Sequence, residues 1–299
     1  MPMFGTRTTN GVASLAAYQY KVLSAESEEL REVNTMSEQL SLFDVVIEHP
    51  TDTAELPKIE PPKSKPTTPI FNVPTVDEIM KAIEKASYRT SRSKLVEDIF
   101  ECGALAISNL VDKRQFNERE ERYLEIIKKY QKPEQQAIAE IFGMIFRLLT
   151  SVTNDDGVFD DYLGTIFNRC NMANNKNGQV FTPFHISHAM AKMAIGNPND
   201  ISKDDGILTI GDPCCGSGAM SLGALDVLKN DFNFNYAHNC YIECSDIDIR
   251  CVHMAYLQLS LAGVPAIIKH QNTLTNETWS VWKTPAFIFQ YLRFQKFDR

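Results

Sequence analysis

Between Val76 and Cys170 the apolar residues recur every three or four positions. Ile79, Ile83 and Ala86, then Leu95, Ile99 and Ala104, then Leu124, Ile127 and Tyr130 each mark one face of a helix. Pro133 suits the first turn of a further helix, Glu134 to about Thr150. Asp160-Asp161-Tyr162-Leu163-Gly164-Thr165-Ile166-Phe167 opens another. Past Ile207 the pattern changes. Ile207 to Ile210 reads as a short β-branched strand that runs through Gly211 into Asp212-Pro213, a glycine turn (Cys214 to Gly218) and a helix. A second strand, Cys240 to Asp248, ends in carboxylates and is followed by a helix from Ile249 to Leu261, with Gly263 at its C′ position. Val252, Tyr256, Leu259 and Leu261 are that helix's core stripe. A third strand, Pro265 to His270, delivers Asn272, and a fourth is expected at about Ala286 to Phe289. Strands alternating with helices predict an α/β sheet behind a helical domain.

The first 75 residues have no such period. Residues 1 to about 37 are polar, with Ala and Ser and no strand alternation, and Met36 is an alternative start. From Glu48 to Pro74, prolines at 50, 57, 61, 62, 66, 69 and 74 predict an extended linker that packs no core. Three regions result: a tail over 1–75, a helical domain over 76–170 and an α/β domain over 171–299. No internal repeat is visible.

Composition narrows the classes. A 43% hydrophobic share supports a sizeable core, and seven cysteines without a CxxC pair point to a reducing compartment and buried thiols. No apolar run approaches the roughly 20 residues of a membrane span, and no secretion signal opens the chain, so the protein is expected in the cytoplasm without a membrane partner. The net charge of −8 argues against a chain that grips duplex DNA alone. The best basic cluster (Lys81, Lys85, Arg89, Arg92 and Lys94) is interspersed with Glu78, Glu84 and Glu97 and reads as a solvated helix face.

The candidate chemistry lies at the strand ends. A strand leading through a glycine turn into a helix is how doubly wound sheets build nucleotide pockets. Gly216 and Gly218 let backbone approach a ligand, and Asp212 can meet an ammonium or a hydroxyl. Gly216-x-Gly218-x-x-Ser221 lacks the third Gly or Ala of the dinucleotide fingerprint, and the Gln179-to-Pro183 element has no purpose in a nucleotide-dependent oxidoreductase. Asp246 and Asp248 are either ligand groups or polar residues solvating a strand end. With Gly178-Gln179-Val180-Phe181-Thr182-Pro183 upstream and Asp212-Pro213-Cys214-Cys215-Gly216-Ser217-Gly218 behind it, the set resembles the S-adenosylmethionine-dependent adenine-N6 DNA methyltransferases, in particular the modification subunits of type I restriction systems, over roughly Asp160 to Asn272.

The resemblance implies a Rossmann-like sheet that binds S-adenosylmethionine. Phe181, Thr182 and Pro183 would close over the methionine end, and Asp212 would meet its amino group. Gly216 and Gly218 would make room for the cofactor, and Asp246 would accept from the ribose hydroxyls, with Asp248 the runner-up. Asn272 stands where the family places an Asp that contacts the adenine ring. One element is missing. The family's Asn/Asp-Pro-Pro-Tyr/Phe tetrapeptide, which holds the flipped base, has no counterpart, the closest string being Thr284-Pro285-Ala286-Phe287. The sheet therefore reads as incomplete after strand four, and no catalytic residue is assigned. Such subunits rely on a separate specificity subunit, so DNA is expected to be reached through partner chains. The alternative is an inactive homologue that acts by binding.

Within the tail, Gln39-Leu40-Ser41-Leu42-Phe43 resembles the pentapeptide by which bacterial replication and repair proteins dock on the sliding clamp. Gln39 would orient the contact, and Leu40, Leu42 and Phe43 would supply its apolar part.

Overall fold

A computed structural model describes residues 72–170, 172, 181–195 and 207–294. The Gln39–Phe43 pentapeptide and Gly178–Val180 lie outside the described residues.

Helix α1 (Val76–Ala86) opens on a capping box in which Thr75 and Glu78 exchange backbone and side-chain hydrogen bonds. Helices α2 (Arg92–Val111), α3 (Phe116–Ile127), α4 (Lys132–Thr150) and α5 (Tyr162–Arg169) follow. Pro133 sits in the first turn of α4 as the sequence indicates. Ile79, Ile83, Leu95, Ile99, Ala104 and Tyr130 are buried, but Leu124 faces solvent and Ile126 takes its place in the core. The stripe on α3 is displaced because that helix also buries Arg119. Lys132–Thr153 is the one helical stretch among the described residues long and apolar enough to cross a membrane, longer than the sequence reading allowed for. It carries Glu134, Glu140 and Arg147, and buries Ile138, Ile141, Ile145, Leu148 and Leu149.

Helix α6 (Phe184–Ile195) leads to a four-stranded sheet of order β1-β2-β3-β4. Strands β1 (Leu208–Asp212), β2 (Cys240–Asp246) and β3 (Ala266–Asn272) are parallel, and β4 (Glu277–Lys283) is antiparallel to β3. Helix α7 (Ala219–Asp226) connects β1 to β2, and α8 (Ile249–Leu261) connects β2 to β3. Helical N-terminal region and Rossmann-like sheet are thus both present. The fourth strand is not where the sequence placed it. Pro285–Phe289 forms a short helix, α9, because Thr284 caps it and Pro285 occupies its first turn; the strand is the preceding Glu-Thr-Trp-Ser-Val-Trp-Lys run.

Helix α8 is buried on every side from Cys251 to Ser260, since it is sandwiched between the sheet and α2. Ile210 packs with Ala191 of α6 and with Ala224 and Val227, so α6 and α7 cover the same sheet face beside it. On the other face Tyr241 and Ile267 lie under Phe287 and Phe294. Toward β1 that second face thins out. Thr209 and Gly211 are exposed, and a methyl group placed on Gly211 would meet no atom within 4 Å.

Candidate functional site

The carboxyl ends of the three parallel strands are tied together. The Pro213 carbonyl accepts from Ser245 Oγ (3.0 Å) and from Thr273 Oγ1 (2.5 Å), and the Cys215 amide donates to the Ser245 carbonyl (2.9 Å). Within the turn, Gly216 and Gly218 have φ of +54° and +93°, which side-chain-bearing residues rarely adopt, and Gly218 is the residue from which α7 starts. A Cβ on Gly216 would lie 3.2 Å from the Phe181 ring. Phe181 in turn meets Phe167 of α5 edge-on, with centroids 5.4 Å apart. The upstream Phe-Thr-Pro element and the glycine turn therefore meet. Thr182 is half-buried, Pro183 is exposed, and the Pro183 carbonyl receives the first amides of α6.

The two strand-end carboxylates differ. Asp212 accepts one weak bond, from the Cys214 amide (3.4 Å) on Oδ1, while its Oδ2 is buried with no hydrogen-bond partner. Burial, with the Asp246 charge nearby, holds the Asp212 carboxyl above its ordinary pKa; the Cys214 amide offsets part of this. An orphaned buried carboxylate oxygen fits a cationic ligand group such as an ammonium. Asp246 is engaged already. Its Oδ2 accepts from the Gly216 amide (2.9 Å) and its Oδ1 from the Asp248 amide (2.8 Å), so it fixes the turn. Each oxygen keeps a second lone pair, enough to receive a diol. Asp248 is committed elsewhere, since it caps α8 and pairs with Arg250 at 2.6 Å. Asn272 Oδ1 accepts from the amides of Leu274 (3.0 Å) and Thr275 (3.3 Å), which leaves its amide nitrogen for a ligand contact. Beside Asp246, Ile247 is 63% exposed and offers an apolar surface at the same strand end.

Two residues to which the sequence gives no site role, Asp161 and Gln258, also shape the turn through Ser217. Asp161, the N-cap of α5, is 5% exposed and accepts from Ser217 Oγ at 2.5 Å and from Gln258 Nε2 at 3.0 Å. Their signals were faint: a second Asp ahead of Leu163-Gly164, and one amide within the apolar run of α8. The Thr284-to-Phe287 string is structural. Thr284 and Phe287 are fully buried, Thr284 Oγ1 donates to the Val264 carbonyl (2.8 Å), and Phe287 belongs to the core under Tyr241. In the basic cluster, Arg89 pairs with Glu134, and Lys94 pairs with Glu97 and Asp98.

An open α/β sheet with a glycine turn, an orphaned carboxylate and an aromatic cover at the ends of its parallel strands has the form of a nucleotide-cofactor fold of the methyltransferase type. Residues 154–296, just under half of the chain, match the family model of the N-6 DNA Methylases, so the resemblance read from the sequence holds over this stretch. No curated protein matches the chain. A solved structure from Listeria monocytogenes, described as a class I S-adenosylmethionine-dependent methyltransferase, is 18% identical with a TM-score of 0.32. The match covers 62% of this chain and 55% of that one, a similarity too low to carry an argument.

Proposed function

We propose that this chain is the cofactor-binding half of an adenine-specific DNA methyltransferase. It holds S-adenosylmethionine at the carboxyl ends of β1 to β3 and contributes to methylation of the adenine amine only together with a partner chain. The observation that carries the reading is the orphaned Asp212 carboxylate oxygen at the head of the glycine turn, with Phe181 against Gly216. When bound, the cofactor supplies an electrophilic methyl group. The chain's own residues bind and orient it: Asp212 neutralises the amino group, Asp246 receives the ribose hydroxyls, Asn272 contacts the adenine edge, and Phe181, Thr182 and Pro183 exclude water. Two features support the need for a partner. The closest string to the family's base-holding tetrapeptide is buried in the core, and Thr209 and Gly211 of β1 are exposed.

Calorimetric titration with S-adenosylhomocysteine tests this. Asp246→Ala should weaken binding by about 1.5–3 kcal/mol for each charge-assisted bond lost, roughly tenfold or more. Asp212→Asn should weaken it too. Equal heats for wild type and both variants would remove the site assignment. Tritiated methyl transfer to mixed-sequence DNA should stay at background for the chain alone, and robust turnover would remove the need for a partner. Burial of Thr284 and Phe287 also favours a second reading, in which the chain binds the cofactor without catalysis; it would stand if no partner ever restores transfer. In either case Gln39 to Phe43 would dock on a bacterial sliding clamp. A peptide spanning Ser37 to Val45 should then bind it with micromolar strength, on the order of −8 kcal/mol, and lose binding when Leu42 and Phe43 become Ala.

A further inference from the structure

We infer that Asp161, acting through Ser217 and Gln258, is the positioning residue that keeps the glycine turn in its ligand-receiving shape. The inference rests on the cofactor-site reading above and assigns the hold on that turn from the α5 side. Asp246 holds Gly216 from the β2 side. On the opposite side, a buried carboxylate, hydroxyl and carboxamide close a small network. Asp161 Oδ2 accepts from Ser217 Oγ at 2.5 Å, while its Oδ1 accepts from the Gly164 amide and from Gln258 Nε2, both at 3.0 Å. Gln258 Nε2 also donates to the Ser217 carbonyl at 2.8 Å, and its Oε1 accepts from the Leu163 amide at 3.2 Å. Asp161, Ser217 and Gln258 are 5%, 0% and 2% exposed, so water does not substitute for any of these bonds. Gly164 is part of the device: a Cβ there would fall 2.0 Å from the Asp161 carboxylate.

The geometry explains why Ser217 stands between the two left-handed glycines. Gly216 and Gly218 free the backbone to turn, and freedom of that kind costs entropy unless something fixes the residue between them. Ser217 is fixed at both its side chain and its carbonyl. The helix that supplies Asp161 also supplies Phe167, against which Phe181 rests, so α5 holds the floor of the site and backs its aromatic cover. A turn fixed before a ligand arrives binds it without an ordering cost.

The turn carries its own reporter. Of the seven cysteines only Cys214 is exposed, and Cys215, next to Gly216, is 6% exposed. In the full-length chain, Ellman's reagent should find one fast thiol. Ser217→Ala and Asp161→Ala should raise the reactivity of Cys215 on the order of tenfold, the size of losing one charge-assisted hydrogen bond, while Cys102, Cys170, Cys240, Cys244 and Cys251 stay protected. S-adenosylhomocysteine affinity should fall by a similar factor. Asp161→Asn should recover most of both losses, because its Nδ2 donates to Ser217 Oγ while its Oδ1 keeps Gly164 and Gln258. If Asp161→Ala does not fold, Ser217→Ala and Asp161→Asn decide. Cys215 remaining as inert in Ser217→Ala as in wild type would overturn the inference. So would all the buried thiols opening together, which signals general loosening. Wild type that fails to bind S-adenosylhomocysteine overturns the cofactor reading instead, and the thiol readout still decides whether Asp161 positions the turn.

Discussion

The two edges of the sheet are built differently. At β4, Trp282 is buried between Tyr256 and His253 of α8, and the Arg119 guanidinium of α3 lies 3.9 Å over its ring. Arg119 also donates to the Val281 carbonyl at 2.8 Å, and a register irregularity at His270/Gln271 distorts the pairing with β3. That edge is closed by the helical region and made irregular, two of the ways proteins protect a strand edge. At β1 the strand is short, uncharged up to Asp212, and paired on one side only among the described residues. Parallel sheets are normally covered on both faces, yet Thr209 and Gly211 are exposed. The protected edge belongs to the helical packing and the open one to the strand that carries the glycine turn. The packing that closes the sheet and the candidate site therefore lie at opposite ends of it.

Breaking the closed edge should have the largest effect. Trp282→Ala removes a large buried ring and leaves the Arg119 guanidinium without its platform. Urea unfolding should show a loss of about 3–5 kcal/mol, and a loss below 1 kcal/mol would mean that this edge is not closed by packing. Next comes pH. Burial lowers the His253 pKa from its ordinary 6.5 to about 4, with His270, Arg119 and Arg122 adding repulsion and Glu101 opposing it. The unfolded chain takes up that proton near 6.5 and the folded one only near 4. Its contribution is therefore complete above pH 6.5 and is lost progressively as pH falls toward 4, about 3 kcal/mol in all. His253→Phe, which keeps a ring against Trp282, should flatten that part of the stability profile. An unchanged slope would exclude His253 as its cause.

The contrast also divides what was legible in the sequence. Periodicity found the helices that close the sheet, and the alternation of strands and helices found the parallel part, because each signal is local. Asp212, Gly216, Gly218 and Asp246 stand out as candidates because turn geometry and ligand chemistry restrict residue type in a short string. The fourth strand is misplaced in the sequence because Ala286 to Phe289 is a short apolar run, while Thr284-Pro285 ahead of it is a helix start by capping chemistry. Asp161 and Gln258 lie 97 residues apart and meet only in three dimensions, so neither announced a link to the turn. Arg119 escaped for the same reason: one cation on a charged helix gives no sign that an aromatic ring 163 positions later will lie beneath it.

At the turn itself a smaller effect is expected. Gly218 has φ +93°, and an added Cβ would make ordinary contacts of 3.5 Å with Ala255, so Gly218→Ala tests conformation with little steric conflict. It should destabilise by about 1–2 kcal/mol, the cost of a left-handed residue with a side chain. A neutral result in chemical denaturation would show that the turn can relax to negative φ. The positive angle would then not be required by the fold.

The smallest effect on stability should come from the open edge, and it is the most informative about what that edge does. Thr209 is exposed as the second residue of β1, with Tyr241 as its neighbour on β2. In the chain alone, Thr209→Lys gives up no buried contact and should change unfolding stability by less than about 0.5 kcal/mol, as surface substitutions do. If the open face of β1 receives a partner, however, the same lysine would be carried into an interface, where an unpaired charge is costly to desolvate. Methyl transfer restored by a partner chain should then fall sharply in Thr209→Lys, while S-adenosylhomocysteine binding by the chain alone stays at the wild-type level. A marked loss of stability in the isolated chain would show that β1 is already covered. Unimpaired transfer with a partner would place the contact on another face.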